Sequence, residues 1–326
     1  MGNRIKFGIL SVLIFGGSVE TMNCELVALR NTSLAQTIAQ KCKKELIIPT
    51  FQEFADGELN VTLSHSEQFS NKTVVIIQST GHPVNENSLG VAFLAQELKN
   101  AGAKKIIAII PYFGYSRQER SAIPGKPGHV AVIAKLFEGA GIDEIIVVEL
   151  HDESVVNLFS IPVHTVSVKS IIADLIKKQL NKNVTACLVA PDQGAAEYVQ
   201  SIAQIIGIGA LTFEKERYAA DQTRIVSHTG TCSGGTGIII DDIMATGGTA
   251  INVCQALHTH GYDTMYGYFV HPVLAGNAVQ KVKDSSFNKI FVGNTIPLST
   301  AAKNASFIEV FDVSSAIMPV LEKVIR

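Results

Sequence analysis

The sequence predicts an α/β protein made of two similar doubly wound parallel-sheet domains. Three observations carry that expectation. Short apolar runs recur along the chain, amphipathic stretches separate them, and the same rhythm restarts after about residue 165. The runs are continuous rather than alternating, as expected for strands buried on both faces of a parallel sheet. A length of 326 residues fits two domains of about 150 residues each.

Taken in order, the first convincing strand is CELVAL (24–29), just after Met22. TVVIIQ (73–78), KIIAIIP (105–111) and EIIVVEL (144–150) follow. ACLVAP (186–191), GIIIDD (237–242), YGYFVH (266–271) and KIFVGNT (289–295) repeat the pattern. In NSLGVAFLAQELKNAGA, Val91, Leu94, Ala95 and Leu98 stand at i, i+3, i+4 and i+7, one face of a helix. SHTGTCSGGTG (227–237) reads as a turn or hairpin ahead of GIIIDD. Residues 22–166 form one expected domain and 167–326 the other, with no low-complexity linker between them. Residues 1–21 carry basic residues and then an apolar run too short to span a bilayer comfortably, with a poor cleavage pattern; they are read as an N-terminal extension, with a signal-like segment as the alternative.

Composition narrows the function classes. Hydrophobic residues at 47% and charged residues at 17% fit a folded protein with a large core. The formal net charge of −2 predicts no nucleic-acid and no membrane-surface partner, because both need a basic face. Small anionic ligands remain open. The five cysteines are scattered without a CxxC pair, so no disulfide framework is expected and a reducing, cytoplasmic compartment is.

Polar residues gather where the strands end: Gln78 to Thr80, Tyr112 to Gly114, His151-Asp152, Asp192, Asp241-Asp242, His271 and Asn294-Thr295. Ligands of open α/β sheets bind beyond those carboxyl ends. The most specific stretch is GIIIDDIMATGGTA (237–250). Adjacent carboxylates repel unless a cation or hydroxyl groups share them. Gly247 and Gly248 permit φ > 0 and close approach of backbone N–H groups, while Thr246 and Thr249 add hydroxyls. A helix beginning near Thr249 adds its dipole. The stretch is therefore read as a phosphate cradle with a sugar-binding acid pair; without GKS or GKT it is not a P-loop.

IIDDIMATGGTA resembles the phosphoribosyl-pyrophosphate loop shared by phosphoribosyltransferases and ribose-phosphate pyrophosphokinases. FADGE (54–58), PYFGYSRQER (111–120), ELHDESVVNLFSIPV (149–163), APDQGA (190–195), FEKER (213–217), HPVLAGNA (271–278) and NTIPLS (294–299) resemble pyrophosphokinase motifs in the same order, from Cys24 to Arg326. The resemblance implies domains of phosphoribosyltransferase type and Mg2+-dependent transfer of the diphosphoryl group of ATP to ribose 5-phosphate, giving phosphoribosyl pyrophosphate and AMP. It implies a homo-oligomer, dimer to hexamer. By the same resemblance Asp56, Gly57, Glu58, Arg117 and Gln118 contact ATP, and His151 and Asp192 hold Mg2+ directly or through water. Lys215 and Arg217 are the implied catalytic cations. Arg217, Asp241, Asp242, Ala245, Thr246, Gly247, Gly248 and Thr249 bind ribose 5-phosphate.

The residues alone leave alternatives open. His151 also reads as an ordinary strand-end histidine, and Lys215 with Arg217 as a solvated charge run interleaved with Glu214 and Glu216. His271 reads as packing, with no chemistry assigned. Four departures from the family pattern stand out: Ala245 where the loop usually has an acid, SAIPGKPGHVAVIAK (121–135) in place of a more basic segment, the glutamates of FEKER, and Glu197. They keep a catalytically weak regulatory paralogue, or a phosphoribosyltransferase, as alternatives to the active enzyme.

Overall fold

Each continuous apolar run is a strand, and its continuity has a simple cause. In the run Ile238–Ile240, Ile238 and Ile240 face a core shared by two sheets while Ile239 faces the helices outside. The same alternation divides Ile107 and Ile109 from Ile106 and Ala108 in the first half. The computed structural model describes residues 22–30, 32–121, 123, 125–126, 128–180, 185–219, 222–230 and 235–326, with the backbone alone at 215–219 and 222–229. The signal-like stretch 1–21 lies outside the described residues, as do several positions of the 121–135 segment.

The first half carries β1 (Glu25–Val27), α1 (Ser33–Cys42), β2 (Leu46–Ile47), an antiparallel hairpin of β3 (Thr50–Glu53) and β4 (Leu59–Thr62), β5 (Thr73–Ile77), α2 (Val84–Asn100), β6 (Lys105–Ile110), α3 (Val130–Gly139), β7 (Glu144–Val148) and β8 (Val163–Val166). The second carries α4 (Lys169–Gln179), β9 (Ala186–Ala190), α5 (Ala196–Ile206), β10 (Gly209–Ala219), β11 (Gln222–Thr229), β12 (Gly235–Met244), α6 (Gly248–Thr259), β13 (Tyr262–Pro272), α7 (Ala278–Lys283), β14 (Lys289–Gly293), α8 (Thr300–Lys303), β15 (Ile308–Phe311) and α9 (Ser314–Ile325).

Six parallel strands in the order β2-β1-β5-β6-β7-β8 make the first sheet. The second runs β11-β10-β9-β12-β13-β14-β15, parallel except for β11 at its edge. Both sheets set their second strand outside the first and add later strands on the other side. Each is therefore doubly wound, with a switch in strand order between β1 and β5 or between β9 and β12. The second switch positions the site. Pairing of β12 with β9 extends to Ile239↔Val189, whereas its pairing with β13 continues to Met244↔Pro272. Beyond Ile239, β12 borders an opening on its β9 side.

The halves are joined through more than one connection. Residues of β1, β5, β7, β9, β12 and β13 share one core cluster, and α9 at the C-terminus packs on α1, β7 and β8. Lys105 Nζ donates to Val324 O at 2.8 Å, satisfying a carbonyl of the last turn of α9. At the other end of that helix Asp312 accepts from Ser314 N (3.0 Å) and Asn294 Nδ2 (2.9 Å) and pairs with Lys41 Nζ at 3.5 Å. Burial pushes its carboxyl up, but the hydrogen bonds from Ser314 and Asn294 and the Lys41 charge outweigh it and hold it below its ordinary 3.8. A depressed folded-state value contributes stability above the unfolded value and loses it as pH falls through the folded one. Asp312→Asn is thus expected to cost about 1 kcal/mol at neutral pH, since the side chain is partly exposed. Thermal unfolding across pH should show that gap closing below its ordinary 3.8.

Cys24, Cys42 and Cys254 are free and buried, and burial lifts the Cys42 thiol to about 11. Cys187 on β9 is disulfide-bonded, a departure from the expectation read from the scattered cysteines. Among the described residues no helix is long and apolar enough to cross a membrane.

Candidate active site

The β12–α6 junction is built as its composition requires. Gly247 caps α6 at φ 78, a left-handed conformation that costs any residue with a Cβ roughly 1–2 kcal/mol. The helix begins at Gly248, next to the expected Thr249. Two backbone hydrogen bonds from the following loop brace the turn: Leu274 N to Met244 O (2.9 Å) and Ala275 N to Ala245 O (3.0 Å). The first-turn amides of a helix have no intrahelical acceptors, so this end suits an anion.

Asp241 and Asp242 lie on the part of β12 beyond its β9 pairing, so neither acid faces a neighbouring strand on that side. Asp242 Oδ1 accepts from Ile243 N at 2.8 Å, and Asp242 N donates to Asp241 Oδ1 at 3.0 Å. Across from the other half, His151 Nδ1 meets Asp242 Oδ2 at 2.8 Å. The pair is electrically unequal. Burial, reinforced by the Asp242 charge, drives the Asp241 carboxyl well above the usual range. Burial also works against Asp242, but the His151 hydrogen bond and charge overcome it and hold that carboxyl low. The Asp242 hydrogen bond in turn raises His151.

Asp192 follows β9, as the strand-end reading expects. Its Oδ1 accepts from Gly194 N (3.0 Å) and Ala195 N (3.3 Å), starting the turn into α5. Arg117 and Gln118 sit on a single helical turn after β6, entered through Tyr115 at φ 65. Gln118 Oε1 contacts His129 Nδ1 at 2.9 Å, and Gly128 N donates to Glu119 O at 2.9 Å. A Cβ on Gly128 would lie 1.9 Å from Gln118 O, so the return of this loop requires glycine.

These segments enclose a cavity of about 830 Å3 between the halves. Arg117, Gln118 and His151 line it from one side, and Asp192, Asp241, Asp242 and residues 245–249 from the other. The volume suits a nucleotide-sized ligand. One expected group is not part of this lining. Asp56, Gly57 and Glu58 form the exposed turn between β3 and β4, with Gly57 at φ 92, and they do not line the cavity. Lys215 and Arg217 are on β10, level with Ile225 and Thr223 of β11; their side chains lie outside the described residues. Sequence reasoning missed Glu119, Arg120, Glu149 and Tyr198 on the cavity wall. Glu149 ends a strand and had a signal; Tyr198, in the first turn of α5, reads like helix packing.

A model of the N-terminal domain of ribose phosphate pyrophosphokinase matches residues 26–141, and one of the phosphoribosyl synthetase-associated domain matches 214–326. The ribose-phosphate pyrophosphokinase of a Marinomonas species is 31% identical over 296 residues, 90% of this chain and 93% of the relative. The chain belongs to the ribose-phosphate pyrophosphokinase family. The Helicobacter hepaticus ribose-phosphate pyrophosphokinase is 32% identical, with 88% of each chain covered. The crystal structure of phosphoribosylpyrophosphate synthetase from Mycobacterium smegmatis superposes with a TM-score of 0.82 at 26% identity, covering 93% of this chain and 98% of that one. The two-domain, phosphoribosyltransferase-type fold expected from the sequence is the fold observed. A ribose-phosphate pyrophosphokinase of this kind is a transferase of nucleotide biosynthesis, and both halves of the chain take part in the match.

Proposed function

We propose that the protein transfers the diphosphoryl group of ATP to the anomeric oxygen of ribose 5-phosphate, with Mg2+, giving phosphoribosyl pyrophosphate and AMP. The observation that carries this reading is the shared cavity: the β12–α6 cradle of one half faces Arg117, Gln118 and His151 of the other. The 5-phosphate rests on the amides around Gly247 and Gly248, and the acid pair engages the ribose hydroxyls. A bond forms between the anomeric oxygen and the β-phosphorus of ATP. The bridge between the α- and β-phosphates breaks, its oxygen leaves with AMP, and the hydroxyl proton passes to solvent. Such chemistry depends on alignment and on neutralising phosphate charge. Lys215 and Arg217 are assigned the second task.

His151 and Asp192 are the residues that would hold Mg2+. Asp242 occupies His151 Nδ1 and leaves Nε2, the arrangement in which a carboxylate orients a metal-binding histidine. Among the described residues no group of three or more His, Cys, Asp or Glu could hold a metal ion. That suits an ion carried mainly by substrate phosphates and water, as Mg2+ is. When bound it supplies charge neutralisation to the triphosphate. The exposed turn at Asp56 to Glu58, which does not line this chain's cavity, suits contact with ATP in a neighbouring chain of a cytoplasmic homo-oligomer.

Incubation with ATP, Mg2+ and ribose 5-phosphate should release AMP. ADP, or no product, would count against the proposal, and a phosphoribosyltransferase would instead need a base and release pyrophosphate. Asp241→Asn is expected to raise the KM for ribose 5-phosphate about 10-fold, the scale of one hydrogen bond to a charged group, with the KM for ATP little changed. An unchanged sugar KM would remove the acid pair from sugar recognition.

A further inference from the structure

We propose that Glu149 is a positioning residue, a clasp between the two halves that sets His151 against Asp242. The kinetic part of its test rests on the functional reading above; the structural part does not. Glu149 follows β7 with φ 35, a backbone conformation that a non-glycine residue keeps only when its surroundings hold it. Its main-chain N–H and C=O and one carboxylate oxygen are all engaged. Glu149 N donates to Val166 O at 3.0 Å. Its Oε1 accepts from Ser167 Oγ (2.7 Å), Val168 N (2.6 Å) and the Tyr198 hydroxyl (3.3 Å). Its carbonyl oxygen meets His271 Nε2 at 2.9 Å.

Tyr198 and His271 belong to the second half, so one residue of the first half is held by the second through both side chain and main chain. His271 is prepared for this. It is buried, and burial disfavours its charged form and lowers its pKa. Nε2–H donates to the Glu149 carbonyl, and Nδ1 lies 3.0 Å from Thr295 Oγ1, whose own hydroxyl donates to Val270 O at 2.8 Å. The Tyr112 ring lies 5.0 Å from the imidazole, tilted by 58°. The histidine that sequence reasoning left without chemistry is therefore the anchor of the clasp.

Two residues beyond Glu149, His151 reaches Asp242 at 2.8 Å. The ribose 5-phosphate loop lies wholly on the second half, whereas His151, Arg117 and Gln118 lie on the first. Loosening the clasp changes how the halves meet and leaves the sugar loop intact. The expected signature is a loss in kcat with the sugar KM retained.

Four proteins test it: wild type, Glu149→Gln, Glu149→Ala and Tyr198→Phe. Glu149→Ala should lower kcat about 10-fold and Tyr198→Phe about 3-fold, the range for losing hydrogen bonds at a charged acceptor, with the KM for ribose 5-phosphate unchanged. Glu149→Gln keeps an acceptor of the same shape and should restore most of the rate. At fixed pH, the ring-nitrogen resonance of His151 in histidine-labelled protein should move in Glu149→Ala and return in Glu149→Gln. A folded Glu149→Ala protein with wild-type kcat and an unmoved resonance overturns the proposal. So does a glutamine variant as impaired as the alanine one. If Glu149→Ala fails to fold, Tyr198→Phe carries the same two readouts. If the wild type releases no AMP, the functional reading fails while the resonance still decides the clasp.

Discussion

Lys215→Ala is expected to lower kcat about 100- to 1,000-fold, the effect of removing one preorganised donor from a developing anionic centre. The melting temperature should stay near that of the wild type. β10 runs parallel to β9 through Thr212↔Ala190, so its backbone continues past the carboxyl end of β9, the end at which Asp192 begins its turn. A register shift between Glu214 and Lys215 then precedes the pairing of Lys215 with Ile225. Truncating a side chain there leaves the ladder intact, because the strand is held by main-chain bonds. The lost free energy, about 3–4 kcal/mol, is transition-state charge stabilisation rather than folding energy. Lys215→Arg should recover part of the rate, since the charge remains while the compact ammonium is replaced by a planar fork. AMP release gives kcat, and circular dichroism gives the melting temperature. Turnover near wild type in the alanine variant would take Lys215 out of the mechanism. Wild-type turnover itself is the reference against which these losses are read.

What the sequence disclosed, and what it withheld, follows from how far apart the partners are. Ile238 to Ile240 announced a doubly covered strand because each face meets a different core, and that is a property of neighbouring residues. Val91, Leu94, Ala95 and Leu98 announced α2 in the same way, and all four are fully buried. β2, β8, β11 and β15 left weaker traces, being short, polar or at an edge. The return of α9 onto the first sheet left none, because nothing in Ser314–Ile325 encodes which sheet its apolar face will cover. At the site the contrast repeats. The acid pair and the glycine turn were readable because chemistry and backbone geometry sit within a few residues of one another. Tyr198 was not, since its hydroxyl matters only when Glu149, 49 residues earlier, is brought against it. FADGE was readable as a motif, but its absence from the cavity lining is a matter of tertiary placement.

The second large effect is expected at Gly247. With φ at 78, this residue turns β12 into α6, and a Cβ built on it would stand 3.3 Å from Ile251 Cδ1 and 3.4 Å from Met244 Cε. Those contacts are tight but end on flexible side chains, so the backbone conformation decides the outcome. A β-branched residue is a steric outlier at positive φ. Gly247→Val therefore drives the turn toward negative φ, rotating the amides that begin α6 away from the direction set by the braces at Leu274 and Ala275. A helix N-terminus binds an anion through the direction of those few N–H groups, so their reorientation costs affinity more than stability. The KM for ribose 5-phosphate should rise about 100-fold, corresponding to about 2.7 kcal/mol. Gly247→Ala should show a smaller rise, because alanine tolerates positive φ better than valine. The KM for ATP should change little in either variant, since Arg117 and Gln118, the proposed ATP contacts, line the cavity from the other half. If both KM values rise together, the loop is holding the whole cavity in shape rather than binding the sugar phosphate. If neither rises, the 5-phosphate does not rest on this turn.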